Sequence, residues 1–246
     1  MTFKELTTQV EGLCGLDGVG VKIIGRSVEG RAIYAFHVGG YCGAQVIVTG
    51  GIHAREWITT LLVVELVKRE YKTGGVWFVP LCNPDGVKIA LEGQPLWKAN
   101  ACGVDLNVNF DADWGLGAQN VFEAGPENYV GPEPNSEPEV RALIGFTLEV
   151  CPRAVAAYHS KGELVYYGSE VSRVLAERVA RSTGYVAERT QNSTGGYCDW
   201  VSMYLGVPAV TIEVGNDDYP HPIGADKLPE ISEQNKDVLP ILVCCD

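Results

Sequence analysis

Three positions in this chain carry side chains suited to hold a metal ion or move a proton, and the clearest group is Gly50-Gly51-Ile52-His53-Ala54-Arg55-Glu56-Trp57. It places an imidazole and a carboxylate three residues apart, after an apolar run and before a helical one. On a helical turn, positions i and i+3 share a face, so both side chains can converge on one point. Histidine nitrogen and glutamate oxygen are ordinary zinc ligands, and two histidines with one glutamate leave a fourth position open for water. The pair alone has a plainer reading, because an acidic residue also suits the dipole of a helix N-terminus. The second position is His159, which ends the apolar run Ala154-Val155-Ala156-Ala157-Tyr158. The third is Glu213, a carboxylate in Pro208-Ala209-Val210-Thr211-Ile212-Glu213-Val214, a strand otherwise fit for the interior. A buried carboxylate is costly unless a metal, a cation or a catalytic task accounts for it. A salt bridge to Arg or Lys is the alternative.

The elements that must position these groups can be traced along the chain. Residues 1–20 read as a short helix followed by a Gly-rich turn. Val21–Ile24 and Ala32–Val38 alternate as strands joined by a hairpin turn, with His37 a packed or surface histidine. Ala44–Thr49 is a nearly all-apolar strand, of the kind buried on both faces. Glu56 to Tyr71 has helix periodicity, and Val76–Cys82 returns as another buried strand. Strand, helix and strand at this spacing predict a right-handed parallel βαβ unit. Asn83-Pro84-Asp85-Gly86 reads as the turn that stops the strand, and residues 92–136 as a long loop of the kind that carries function. A helix over Ser136–Val150 with Ser136 as N-cap, a strand over Arg153–Tyr158 and a short strand over Glu163–Gly168 follow. The remainder predicts helices at Ser169–Thr183, Asp199–Leu205 and Pro229–Val243, with a strand at Ala209–Val214. No repeat or linker divides the chain, so residues 1–246 predict one α/β domain with helices on both faces of the sheet. His53, His159 and Glu213 then fall at strand ends, the edge of an open α/β sheet where ligands bind.

Composition narrows the classes of function. With 246 residues and 46% hydrophobic content, the chain can bury a substantial core without disulfides. A net charge of -12 argues against nucleic acid or an anionic membrane surface as partner. No apolar run approaches the roughly eighteen residues of a membrane span. The start, Met1-Thr2-Phe3-Lys4-Glu5-Leu6, does not read as a signal peptide. Eight cysteines, mostly in apolar runs and with no C-x-x-C pair, read as buried free thiols in a reducing compartment. These features predict a cytoplasmic protein. The adjacent Cys244 and Cys245 have no account.

Several linked motifs resemble the zinc carboxypeptidases of the carboxypeptidase A type. They are Gly51-Ile52-His53-Ala54-Arg55-Glu56-Trp57, Asn83-Pro84-Asp85-Gly86, Gly103-Val104-Asp105-Leu106-Asn107, His159-Ser160, Gly195-Gly196 with Asp199-Trp200, and Ile212-Glu213. They occur in the family's order from about residue 20 to 215. The resemblance implies a mixed, mainly parallel sheet of about eight strands between helices. It implies one Zn2+ per chain on His53, Glu56 and His159, with Asp105 bonding the free nitrogen of His53. Glu213 would be the general base for the water that the metal activates, then the acid toward the leaving amine. Lys98 stands where the family usually has an arginine that stabilises the oxyanion; it supplies the charge without the planar fork.

The departures bear on substrate. Val108 occupies the place of the arginine that grips a substrate's terminal carboxylate, and valine cannot form that bidentate pair. Gln191 stands where the family has a mobile tyrosine, Lys161 follows Ser160 in place of tyrosine, and Tyr197 follows Gly196 in place of a small residue. The run from Trp97 to Phe110 is similar to a bacterial branch that cleaves the γ-D-glutamyl bond to meso-diaminopimelate or a related diamino acid in peptidoglycan peptides. Such a substrate would meet Arg55, Asn107 and Lys161 through its carboxylates, with Gln191 and Tyr197 as further substrate-binding candidates, and acidic cleft residues through its amine. The alternatives are an ordinary metallocarboxypeptidase, a deacylase of small amides, and a non-catalytic peptide-binding module. Retention of Glu213 beside all three ligands argues against the last, since a binder needs no base.

Overall fold

The computed structural model describes residues 1–69 and 74–244. Among these residues eight strands form one sheet: β1 (Val19–Arg26), β2 (Ala32–Gly39), β3 (Gln45–Thr49), β4 (Gly75–Val79), β5 (Ala154–His159), β6 (Leu164–Tyr167), β7 (Val186–Arg189) and β8 (Ala209–Glu213), in the order β1-β2-β4-β3-β5-β8-β6-β7. The centre, β4-β3-β5-β8, is parallel, as is the β6-β7 pair; β1-β2, β2-β4 and β6-β8 are antiparallel. The expected mixed, mainly parallel eight-stranded sheet is therefore present.

The helices are α1 (Phe3–Gly12), α2 (Ile58–Val67), α3 (Pro84–Leu91), α4 (Pro138–Val150), α5 (Glu170–Thr183), α6 (Tyr197–Tyr204), α7 (Leu228–Gln234) and α8 (Val238–Val243). They cover the sheet on two sides, and strand alternation decides which residue faces which layer. Val46 and Val48 of β3 pack with α1, α2, α5, α7 and α8, whereas Ile47 packs with α4 and α6. Burial on both faces explains why β3 and β5 read as nearly all-apolar runs. Edge strand β1 instead leaves Val21 and Ile23 exposed.

Several expectations are corrected. The run expected as one helix from Glu56 begins as a 3₁₀ turn, Ala54–Glu56, and becomes α-helical only at Ile58; the expected end at Tyr71 lies outside the described residues. Asn83-Pro84-Asp85-Gly86 does not merely turn the chain but starts α3. Asn83 is its N-cap, accepting from the Gly86 amide at 2.9 Å, and Pro84 fills the first helical position, where a missing N–H costs nothing. The strand expected to reach Cys82 ends at Val79. Glu137, not Ser136, occupies the N-cap of α4, and the Ser136 hydroxyl donates to the Glu137 carboxylate at 2.7 Å. The expected C-terminal helix breaks at residues 235–237 into α7 and α8, with Pro240 in the first turns of α8. Strand β7 has too little alternation to be read from sequence. Its four residues pair only with β6 and remain mostly exposed.

The cysteines are half as expected. The seven described ones are free thiols, but only Cys82 and Cys198 are buried, while Cys14, Cys42, Cys102, Cys151 and Cys244 are exposed. Cys245 lies outside the described residues. His37 is buried and packed, its ring 3.8 Å from that of Tyr41 and its Nε2 3.0 Å from Gln45 Oε1. Among the described residues, no helix is long and apolar enough to cross a membrane.

Candidate metal centre and substrate cavity

Strands β3, β5 and β8 are parallel neighbours, so their C-terminal ends share one edge of the sheet. His159 is the last residue of β5 and pairs in register with Glu213, the last of β8. The two-residue period therefore turns both side chains to the same face. His53 follows β3 by four residues, after a glycine that the chain requires: Gly51 has φ +61°, and a Cβ there would overlap the Thr60 hydroxyl. Thr59 stitches this loop together, its hydroxyl donating to the Glu56 carbonyl and accepting from the Gly51 amide, each at 2.8 Å.

The three expected ligands converge. His53 Nδ1 lies 3.0 Å from Glu56 Oε1 and 3.0 Å from His159 Nδ1, and His159 Nδ1 lies 3.1 Å from Glu56 Oε2. One donor atom from each falls within 4.8 Å of the others, and all three residues are buried. Two buried imidazole nitrogens facing each other over a carboxylate fit a shared cation, since neutral rings would set lone pair against lone pair unless one donates. The donor set of two nitrogens and a carboxylate suits zinc.

Behind the ligands sits a buried charge pair. Asp105 Oδ1 is 3.2 Å from His53 Nε2, and Asp105 Oδ2 is 2.8 Å from Lys98 Nζ. The same carboxylate accepts from the Asn107 amide at 3.1 Å and the Asn128 amide at 3.2 Å. Burial alone would raise the Asp105 carboxyl, but Lys98 and His53 outweigh it and hold the group well below the usual range. His53 shows the converse. Burial disfavours its charged form, yet Glu56 and Asp105 together raise its pKa despite the opposing Lys98. The expected position of Asp105 beside His53 is thus observed.

Glu213 is different because no cation contacts it directly among the described residues. Burial pushes its carboxyl up to about 8; His159 opposes the shift, Glu56 adds to it, and Lys98 and Arg55 oppose it more weakly. A carboxyl that titrates near neutrality can both accept and donate a proton.

These groups open onto a cavity of about 520 Å³, whose wall includes His53, Lys98, Asn107, His159, Gln191 and Glu213. That size suits a small peptide ligand. Val108 also lines it, and among the described residues no arginine does. The loop expected between residues 92 and 136 supplies much of the wall. It is pinned to the segment before α6 by the Ala118 amide on the Asn192 carbonyl at 2.9 Å and the Phe110 amide on the Gly195 carbonyl at 3.0 Å. Gly195 is needed there, with φ +80° and the Val108 carbonyl where a Cβ would stand.

The substrate-binding candidates divide. Asn107 and Gln191 line the cavity. Arg55 is within charge range of Glu213 and Lys98, but its guanidinium pairs with Glu127 at 2.9 Å. Lys161 pairs with Asp217, donating to its carbonyl and lying 3.1 Å from its carboxylate. Tyr197 is corrected outright. It is fully buried, its hydroxyl 2.7 Å from the Thr147 hydroxyl and its ring 5.4 Å from Phe110, so it packs beneath the site and meets no substrate.

One positioning residue was legible but misread. Asn83 Nδ2 donates to the Ile52 and Ala99 carbonyls, each at 3.1 Å, and so ties the segment carrying His53 to the one carrying Lys98. The Ala54 amide on the Lys98 carbonyl, at 3.0 Å, closes the same link. Its signal was the Asn-Pro-Asp helix start. Asp199, named with the Gly195-Gly196 motif, lines the cavity; so do Tyr166 and Asn128, which nothing in their local sequence distinguishes.

The zinc carboxypeptidase family profile matches residues 17–238. The chain belongs to the zinc carboxypeptidase family. It is 30% identical over 244 residues to γ-D-glutamyl-L-diamino acid endopeptidase 1 of Lysinibacillus sphaericus, covering 81% of this chain and 61% of that protein. It is 27% identical over 226 residues to metallocarboxypeptidase A of Trichophyton rubrum, covering 74% of this chain and 52% of that protein. The chain thus spans about three fifths of the first relative's length. Its fold is shared with bovine thrombin-activatable fibrinolysis inhibitor (TM-score 0.85, 21% identity, 99% of this chain and 96% of that one) and with the murein-tripeptide amidase of Escherichia coli O157 (TM-score 0.68, 24% identity, 96% of both chains). Family membership identifies the cation that the ligand set fits as zinc.

Proposed function

We propose that residues 1–246 act as one catalytic unit, a zinc-dependent amidase with one Zn2+ per chain, that hydrolyses the bond between γ-D-glutamate and meso-diaminopimelate or a related diamino acid in peptidoglycan peptides. The observation that carries the substrate choice is Val108 in a cavity wall with no arginine among the described residues, where an ordinary carboxypeptidase needs a bidentate grip on a terminal carboxylate. The relative from Lysinibacillus sphaericus, whose name describes this bond type, supports it.

His53, Glu56 and His159 hold the metal, which supplies a Lewis acid and lowers the pKa of water. Asp105 keeps the His53 proton on Nε2, leaving Nδ1 free to face the ligand set. The Glu213 carboxylate takes a proton from the attacking water. As the carbon–nitrogen bond breaks, it passes that proton to the leaving amine. Lys98, fixed by Asp105 in the cavity wall, places positive charge where the carbonyl oxygen becomes negative. Asn107 and Gln191 offer neutral hydrogen bonds to the peptide, and Arg55 and Lys161 become available when a substrate carboxylate displaces Glu127 or Asp217.

The test incubates the zinc-loaded protein with L-Ala-γ-D-Glu-meso-diaminopimelate beside peptides ending in ordinary L-amino acids. Release of diaminopimelate at a kcat/KM well above any C-terminal trimming is the expected result. Preference for the C-terminal substrates rejects the substrate assignment in favour of a metallocarboxypeptidase. Hydrolysis of neither, with zinc bound, rejects both.

A further inference from the structure

The cavity wall is rich in carboxamides: Asn107, Gln119, Asn120, Asn128, Gln191 and Asn192. The segments that carry most of them are tied together. The Ala118 amide donates to the Asn192 carbonyl at 2.9 Å, and the Gly195 amide to the Ala112 carbonyl at 2.7 Å. Several of the side-chain N–H groups have nothing to bond. Asn107 Oδ1 accepts from the Tyr197 amide at 3.0 Å, which leaves its Nδ2 to donate elsewhere. Asn128 turns its Oδ1 toward Lys98 Nζ, 3.5 Å away, and keeps its Nδ2 for another partner. Asn120 is the clearest case. Its Nδ2 is shielded from solvent and meets no acceptor among the described residues. The Asn120 amide closes a turn on the Gly117 carbonyl at 3.1 Å, and the carboxamide folds back over that turn. A Cβ at Gly117 would stand 2.8 Å from its Oδ1. A buried donor without an acceptor is costly, so a ligand oxygen is the partner this wall lacks.

The charge around these groups decides which oxygen fits. Lys98 is the only lysine or arginine in the wall among the described residues, and it is committed to Asp105 at 2.8 Å. Asp199, also in the wall, accepts from the Gly196 amide at 3.3 Å and has no cation within ion-pair distance among the described residues. A free carboxylate set against the carboxamides would find neutral donors, no counter-charge and a like charge nearby. An amide brings no charge. Its carbonyl oxygen accepts from an asparagine Nδ2, and its N–H donates to side-chain oxygens such as those of Gln191, Asn192 and Ser193. Val108, in the place of the arginine that would grip a terminal carboxylate, belongs to the same wall.

We infer that this wall binds the α-carboxyl group of the leaving residue as an amide, and that Asn120 is a specificity-determining residue whose Nδ2 donates to the amide's carbonyl oxygen. The chain then cuts inside a peptide, or before an amidated residue, in preference to releasing a free terminal amino acid. The inference rests on the proposed amidase reading for the scissile bond, yet it concerns only the group on the far side of the leaving residue.

The experiment compares the zinc-loaded wild type with Asn120→Leu, which keeps the side chain's size and removes its hydrogen bonds. Three peptides are used. The first is L-Ala-γ-D-Glu-meso-diaminopimelate, with a free carboxylate on the carbon that bears the scissile nitrogen. The second carries that carboxylate as a carboxamide, and the third is extended there by D-alanine. The wild type should favour both amide forms over the free acid by on the order of tenfold in kcat/KM. N120L should bring both ratios toward one, losing rate on the amides and not on the free acid. A wild-type ratio of one or below overturns the inference, and so does a ratio that N120L leaves unchanged. A gain confined to the D-alanine-extended peptide belongs to the added residue and overturns it as well. If N120L does not fold, calorimetric binding of the carboxamide and free-acid peptides to zinc-loaded E213Q decides the matter, equal affinities overturning the inference. If ordinary peptides are cleaved in place of γ-D-glutamyl ones, the amidase reading fails. Benzoyl-Gly-Phe against its C-terminal carboxamide then puts the same question to the wall: preference for the carboxamide sustains the inference, and preference for the acid overturns it.

Discussion

The two halves of the cavity are built differently. The floor comes from the ends of β3, β5 and β8. Its His53, Glu56 and His159, together with Asp105, which reaches them from the long loop after α3, are all at most 6% exposed, and each meets an opposite or complementary charge. The wall comes from the long loop after α3 and the segment before α6. It carries mostly carboxamides and hydroxyls, and the nearby cations Arg55 and Lys161 pair with partners 47% and 84% exposed. The floor fixes charges by sheet register and burial, where a displaced group leaves an uncompensated charge costing several kcal/mol. The wall uses exposed pairs worth about 0–1 kcal/mol, which a substrate can exchange at little cost. Catalytic geometry thus sits on the stiff part of the fold, and selection sits where residues can change without unfolding it.

The sharpest way to break this contrast is Glu213→Gln. It should retain one zinc by elemental analysis while turnover falls by about 10²–10⁴-fold. Loss of zinc together with activity would make Glu213 a fourth ligand. Asp105→Ala comes next. Removing the carboxylate behind His53 should weaken zinc binding by about 10–100-fold in competition with a chelator, and an unchanged affinity would reduce Asp105 to a partner of Lys98. In the metal-stripped protein, Glu213 holds a proton in the folded chain that the unfolded chain releases near its ordinary 4.5. Stability should therefore fall as pH rises from about 4.5 to about 8, seen as a declining Tm. The raised pKa of His53 contributes with the same sign, so E213Q should flatten this slope without abolishing it. The smallest effect belongs to the wall. Glu127→Gln should change stability by less than about 1 kcal/mol and, by freeing Arg55, lower KM for a carboxylate-rich peptide about two- to threefold. A large loss of stability there would show that the wall is no softer than the floor.

Legibility followed the same division. The floor was readable because burial on both faces forces nearly all-apolar strands. A histidine or glutamate ending such a strand stands out against them, as His159 and Glu213 do. The start of α3 at Asn83 was also written locally, in an N-cap followed by proline, but the same residues serve a turn. Tyr197 was misplaced because its neighbours, Gly196 and Asp199, do line the cavity. Helix rotation alone sends its ring inward to Phe110 and Thr147.

By itself the sequence determined the sheet-and-helix class, the ligand types and their order along the chain, since strand burial, metal affinity and motif spacing are properties of residue type and short range. Only the tertiary structure decided that Lys98 is held by Asp105, that Arg55 and Lys161 are already paired, and that Asp199 faces the cavity without a cation. Each of those facts depends on side chains brought together from distant segments, and the strength of a charge depends on what surrounds it rather than on what precedes it in the chain.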